Sequence, residues 1–99
     1  ESGLMDDTTN NRNVFVGYKT GKDNTSGSGN TAIGAISLYK NTIGDSNVAM
    51  GSASLYDNTT GKYNVAVGAN SLTYNTTGTH NTAIGSNSLY DNTTGDSNI

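Results

Sequence analysis

The sequence predicts an all-β fold, a parallel β-solenoid built from 17-residue coils. Asparagine recurs at a constant interval, at 13, 30, 47, 64, 81 and 98. Asn, Thr, Gly and Ser supply 54 of the 99 residues, a composition that favours turns over helices. Each of the first five asparagines precedes a short segment that is mostly Val/Thr-Ala-Ile/Val, which is typical of a strand. Together these observations indicate one strand-and-turn unit repeated along the chain.

The repeat defines the domain organisation. Five coils begin at residues 13, 30, 47, 64 and 81, and a partial coil opens at 98, so the repeat domain spans 13–99. Residues 1–12 form a polar lead-in or linker outside the pattern. A coil must return the chain above its own start, and we expect each coil to do so with two short strands and glycine corners. Because the pattern stops just inside a coil, we expect the sequence to belong to a longer protein.

The apolar positions suggest where the core lies. We number the positions of a coil 1–17 from its asparagine. Position 4 is always apolar and position 9 is leucine in four of five coils, so we expect these two positions to supply the core. Position 3, in the opposite strand phase, is alanine in four coils. Those alanines fit two interpretations, a contact strip between subunits or a filling for a narrow coil interior: Ala32, Ala49, Ala66 and Ala83.

The first coil departs from the others at two positions. It carries Phe15 at position 3 and Gly21 at position 9, as if a large residue compensated for a missing one. We therefore expect this coil to act as a cap.

The charged residues test whether the coils stack in register. Stacking would bring equivalent residues of successive coils to about 4.8 Å from one another. Lys40 at position 11 then lies next to Asp57, and Asp45 at position 16 lies beside Lys62. Like charges do not meet in either of these two columns of equivalent residues. The sequence therefore predicts these two ion pairs.

The overall composition argues against several functions and provides few apolar residues for a core. Leu, Ile, Val and Phe together make up less than a fifth of the chain, so we expect a second buried surface formed by self-association. The net charge is −3, and the absence of a basic excess argues against nucleic-acid binding. No apolar run is long enough for direct membrane insertion in this segment. The absence of cysteine excludes disulfides and thiolate metal sites.

Catalysis finds little support in the sequence. His80 is the single histidine, and it occupies a variable turn position with no partner that would complete a dyad or triad. Asp57 and Asp91 share a column but lie two coils apart, about 9–10 Å, which is too far to share one calcium ion. We therefore expect no enzyme activity, no cofactor and no metal.

Two surface columns suggest ligands. The tyrosines at position 10 could stack on glycans or could instead cover coil edges or an interface: Tyr39, Tyr56 and Tyr90. The threonines at position 13 form a regular hydroxyl ladder of the kind used in ice binding, although adjacent glycines indicate a corner: Thr25, Thr42, Thr59, Thr76 and Thr93. Four glycosylation sequons recur with the repeat and are better explained as turn motifs, at Asn24, Asn58, Asn75 and Asn92.

The segment Asn30-Thr-Ala-Ile-Gly34 followed by Ser37, and its copies at 47–54, 64–71 and 81–88, resemble the head repeats of trimeric autotransporter adhesins. The longer unit with its Asn-Thr-Thr-Gly corner is similar to repeats of phage tail-fibre proteins. The resemblance covers residues 13–99, although autotransporter head coils are typically shorter than the coils of this chain. It implies a left-handed parallel β-roll in a homotrimer, placed extracellularly on a virion tail fibre or a bacterial surface.

These observations lead to a functional hypothesis. The chain is expected to be a structural or adhesive module of a trimeric surface fibre that projects or contributes to attachment to a host-surface glycan or receptor. The alternative is an ice-binding β-solenoid that uses the threonine ladder.

Overall fold

The computed structural model describes residues 12–99, and it confirms the predicted parallel β-solenoid. Each coil contributes one short strand to a five-stranded parallel sheet in the order β1-β2-β3-β4-β5. The strands are β1 Val14–Val16, β2 Thr31–Ile33, β3 Val48–Met50, β4 Val65–Val67 and β5 Thr82–Ile84. The expectation of two strands per coil was wrong, because turns and bends account for the rest of each coil. The predicted lead-in 1–12 lies, apart from Arg12, outside the described residues.

The coils stack in register at the predicted spacing. Every residue of β1 to β4 pairs with its equivalent in the next coil, as Ala32 does with Ala49. The backbone ladder continues beyond the strands, where the Leu38 N–H donates to the Ser54 carbonyl at 3.0 Å. Equivalent residues of successive coils are therefore neighbours around most of the coil.

The coil interior is filled by alanine and leucine from opposite walls. The alanines of position 3 and the leucines of position 9 pack together, and in coils two to four both are fully buried within one chain. The alanine strip therefore cannot face other subunits, and the contact interpretation of Ala32, Ala49, Ala66 and Ala83 is wrong. Successive strand residues point to opposite faces, so position 4 points outward and does not supply the core as expected.

Phe15 occupies the space that leucine fills in later coils, as the sequence predicted. Its ring is buried, and a Cβ built on Gly21 would lie 2.6 Å from the ring atoms Cδ2 and Cζ. In the first coil, the large core residue thus stands at position 3, whereas in the later coils it stands at position 9.

Asparagine side chains form buried ladders along the axis. The Asn64 amide nitrogen donates to Asn47 Oδ1 and to the Gly78 carbonyl, at 3.2 and 2.9 Å. Asn64 Oδ1 in turn accepts the backbone N–H of Asn81 at 3.0 Å and its amide N–H at 3.2 Å. No buried side-chain polar atom in residues 12–99 lacks a hydrogen-bond partner. A side chain at position 1 must both donate and accept hydrogen bonds at these distances, and the asparagine amide meets both requirements.

A second asparagine ladder, at position 12, requires glycine beside it. Asn75 Nδ2 donates to Asn58 Oδ1 at 2.9 Å and to the Gly78 carbonyl at 3.1 Å. A Cβ on Gly61 would lie 2.5 Å from the Gly78 carbonyl oxygen, so position 15 has no room for a side chain. The invariant Asn-Thr-x-Gly corner follows from this close contact.

The core leucines adopt left-handed backbone conformations that favour glycine. Leu38, Leu55, Leu72 and Leu89 have φ between 48° and 52°. The left-handed region costs an ordinary residue about 1–2 kcal/mol. Burying a leucine side chain stabilises the fold by about 1.5–3 kcal/mol, which explains why leucine stands at this position.

Candidate functional site

The outward face of the sheet is mostly apolar and carries no charge. We call it the outer sheet face, and it consists of the side chains at positions 2 and 4: Val14, Val16, Thr31, Ile33, Val48, Met50, Val65, Val67, Thr82 and Ile84. Met50 is 40% exposed and Ile84 is 70% exposed. The strands place these side chains in two columns, with about 4.8 Å between coils and about 7 Å between the columns. A contiguous apolar strip of this kind makes the outer sheet face the candidate interaction surface.

The tyrosines of position 10 pack mainly on one another. The rings of Tyr39 and Tyr56 stack with centroids 5.0 Å apart and an interplanar angle of 10°, so each covers one face of the other. The Lys22 ammonium lies 5.8 Å from the centroid of Tyr39, and the Lys40 ammonium lies 5.7 Å from the centroid of Tyr56. Thr73 follows Tyr56 in the column. Tyr39 and Tyr56 therefore have no open ring face on which a sugar could stack.

Tyr90, the third tyrosine of position 10, contacts Tyr74 instead. The two rings meet edge to face with centroids 5.0 Å apart, and the hydroxyl groups are 3.4 Å from each other. The hydrogen bond to Tyr74 raises the pKa of Tyr90 above its ordinary value. The position 10 column thus resembles an edge cover more than a ligand platform.

The threonine ladder at position 13 is regular but bonded to the backbone. Thr25 Oγ1 donates to the Thr42 carbonyl at 3.0 Å, and the same bond recurs at each step up to Thr93. The four donating hydroxyls, from Thr25 to Thr76, therefore direct their protons along the ladder. This geometry stabilises the corner and leaves only the oxygen lone pairs for solvent.

The two predicted ion pairs are present at the surface. Lys40 Nζ lies 3.7 Å from Asp57 Oδ1, and Lys62 Nζ lies 3.5 Å from Asp45 Oδ2. Asp45 Oδ1 also accepts the Ser28 backbone N–H at 2.9 Å, which fixes the carboxylate between two coils. Within residues 12–99, no group of three or more His, Cys, Asp or Glu side chains could hold a metal ion.

A stacked aromatic pair stands at position 17, which we call the corner column. Tyr63 and His80 have ring centroids 4.9 Å apart and an interplanar angle of 25°. The sequence favoured a solvated turn residue at His80, in a position that Tyr63 also occupies, and the stacking of the two rings was not predicted. Their separation by one full repeat was the signal that places the two residues in adjacent coils.

The sequons lie in the buried asparagine ladder. Asn58 and Asn75 have no exposed surface, and the amide nitrogens that a glycan would modify are hydrogen-bonded across coils. In the folded protein these two sequons are structural turn motifs.

Comparison with protein-family models, curated proteins and solved structures finds no match to this chain. Among the described residues, no helix is long and apolar enough to cross a membrane. The fold itself defines the class, a repeat protein with a parallel β-solenoid of 17-residue coils.

Proposed function

We propose that this chain is a structural and adhesive module of an extracellular surface fibre, in which copies of the chain pack through the outer sheet face. The exposed apolar strip along that face carries the proposal. Its members include no charge, although charged residues occupy several other columns of the same coils. A solvated face would gain nothing from this pattern, whereas a buried one would.

A second copy is the partner that best matches this face. The strip repeats at one strand spacing, and another copy offers an uncharged strip with the same rise. Packing these faces against each other would supply the second buried surface that the narrow alanine-leucine interior calls for. The repeated geometry would extend the contact along the whole stack.

Three copies of the chain would form the assembly. The resemblance of residues 30–37 and their copies to trimeric adhesin head repeats supports this number. A closed three-fold arrangement would direct one sheet face of each coil toward a common axis. The remaining columns would then face outward, where a fibre meets its receptor.

Sedimentation equilibrium tests the assembly. The wild type should have three times the mass of the 10.2 kDa chain. Met50→Lys places a charge in the outer sheet face and should dissociate or unfold the trimer. Ile43→Lys is the matched control, because Ile43 is similarly exposed but lies in the corner at position 14. A folded monomeric wild type, or a Met50→Lys variant that assembles like Ile43→Lys, would contradict the proposal.

Ice binding through the threonine ladder is the alternative function. Its support is the regular column from Thr25 to Thr93, of which both end members are exposed. However, the hydroxyls of the four threonines from Thr25 to Thr76 each donate to a backbone carbonyl of the next coil. These bonds favour a structural role for the column, which stabilises the corner of the coil. A thermal-hysteresis assay separates the two functions, because a fibre module should show no hysteresis.

A further inference from the structure

The aromatic pair of the corner column stands on a fixed backbone. The Tyr63 N–H donates to the Asp45 carbonyl at 3.1 Å, and the His80 N–H donates to the Lys62 carbonyl at 3.0 Å. The imidazole of His80 covers one face of the Tyr63 ring. Tyr63 is thus held at a defined height on the stack, and 54% of its surface remains exposed.

The other face of Tyr63 looks onto small residues. The corner column carries Ser46 and Gly29 in the two preceding coils. Two coil spacings amount to about 10 Å along the axis. Two small side chains in succession would leave a notch beside the ring, with room along the axis for a flat six-membered ring at van der Waals distance.

The surroundings of this notch differ from those of the other tyrosines. Tyr39 lies between a lysine ammonium and the ring of Tyr56. Tyr18 has the Lys19 ammonium 5.2 Å from its centroid. For Tyr63, the structure of residues 12–99 shows an aromatic partner only in His80 and no cation over the ring. The corner column therefore offers the open ring face that the position 10 column lacks.

Polar groups adjoin the notch along the chain. Asp45 precedes Ser46 and Lys62 precedes Tyr63, and these two charged side chains pair with each other at 3.5 Å. The Ser28 N–H holds the carboxylate of Asp45 in place. One acceptor and one donor are thus adjacent in sequence to Ser46 and Tyr63, the residues on either side of the notch.

We propose that Tyr63 is the platform of a carbohydrate-binding site in which a pyranose ring stacks in the notch above Ser46. The C–H face of a sugar packs on an aromatic ring, while its hydroxyl groups hydrogen-bond to paired charges such as Asp45 and Lys62. A nucleobase would also stack, but the net charge of −3 disfavours the phosphates attached to it. A sugar would then be the ligand through which the fibre attaches. Sugar binding itself does not depend on the proposed function, and only its biological use rests on it.

The test uses the assembled protein and methyl β-D-galactopyranoside as the probe. Tyr63 lies two residues before Val65 of the outer sheet face, so the titration uses the protein in whatever assembly the wild type forms. Titration followed by the aromatic NMR signals of Tyr63 and of His80, which remains in every variant, should give a dissociation constant on the order of 1 mM, as expected for a ligand of this size. The absence of any shift at saturating probe would overturn the site.

Variants locate the binding. Tyr63→Ser should weaken binding at least tenfold, and serine already stands in the corner column at Ser46 with positive φ. Tyr56→Thr is the matched control, because threonine occupies that column in the next coil, and it should bind like the wild type. Ser46→Lys keeps Tyr63 but covers its open face, so it should also abolish binding. Unchanged affinity in Tyr63→Ser or Ser46→Lys would refute the assignment.

Sedimentation of the same samples separates this proposal from the fibre proposal. A trimeric wild type that does not bind the probe rejects the sugar site and leaves the fibre intact. A monomeric wild type that binds it through Tyr63 supports the site and rejects the trimer.

Discussion

Replacing Asn64 by aspartate tests whether the asparagine ladder holds the coils together. The side chains have nearly the same shape, so packing stays unchanged. The carboxylate can still accept the two hydrogen bonds from Asn81, but it loses the bonds donated to Asn47 and Gly78. It also brings a negative charge against the carbonyl oxygen of Gly78 in a fully buried position. The change thus removes the donating half of one ladder residue.

The expected loss is large. Two hydrogen bonds contribute about 2 kcal/mol at about 1 kcal/mol each. A buried charge without a compensating cation costs at least about 3 kcal/mol. We therefore expect Asn64→Asp to lower the free energy of unfolding by about 5 kcal/mol at pH 7.

The loss should depend on pH in a definite direction. Burial beside a carbonyl raises the pKa of the new carboxyl group in the folded state. At a pH below its unfolded pKa of about 3.9, both states carry the proton, and the protonated carboxyl can donate one hydrogen bond again. As the pH rises from the unfolded pKa towards the folded pKa, the unfolded state alone ionises and the destabilisation grows, and above the folded pKa it stays at its full value.

Chemical denaturation at pH 7 and pH 3, at one protein concentration, measures both effects. Asn87→Asp is the control, because it makes the same charge change at an exposed turn residue. The difference between each variant and the wild type should be compared at each pH. If Asn64→Asp stayed within about 1 kcal/mol of Asn87→Asp at pH 7, the ladder would not be a major source of stability.

Three further changes probe other parts of the fold, each by denaturant unfolding. Phe15→Ala should cost about 3–5 kcal/mol, and adding Gly21→Leu should recover most of that loss, whereas additive losses would contradict the exchange of positions. Ala53→Asn should stabilise by about 0.5–1 kcal/mol because φ is 62° there, while Ala35→Asn, outside the left-handed region, should not. Lys40→Gln should cost less than about 1 kcal/mol, and a loss that persists at high salt would argue against a surface ion pair.

The stacking of coils was predictable from sequence because the period is invariant. The asparagines from Asn13 to Asn98 recur without insertion, so equivalent residues had to become neighbours, and the pairing of Lys62 with Asp45 followed. The direction of the strand faces was not predictable in the same way. Positions 2, 3 and 4 are all compatible with burial, and the larger residues were assigned to the core.

The structure shows why the smaller residue lies inside. Leucine and the buried amides of positions 1 and 12 already fill the coil, so the sheet wall can contribute only a methyl group. Ala66, for example, faces inward between the outward Val65 and Val67. The 17-residue period places Tyr63 and His80 at equivalent positions of successive coils, but the variable side chains at this position gave no signal that the two rings stack.

The identical bonding of successive coils has a consequence for how such chains change in evolution. Duplicating or deleting one 17-residue unit preserves every type of hydrogen bond, because Asn47 relates to Asn30 as Asn64 does to Asn47. Each such event changes the length of the rod by about 4.8 Å. Meanwhile the side chains at positions 10, 16 and 17 differ from coil to coil, while the backbone ladder beneath them stays the same. Length and surface chemistry can therefore be selected separately.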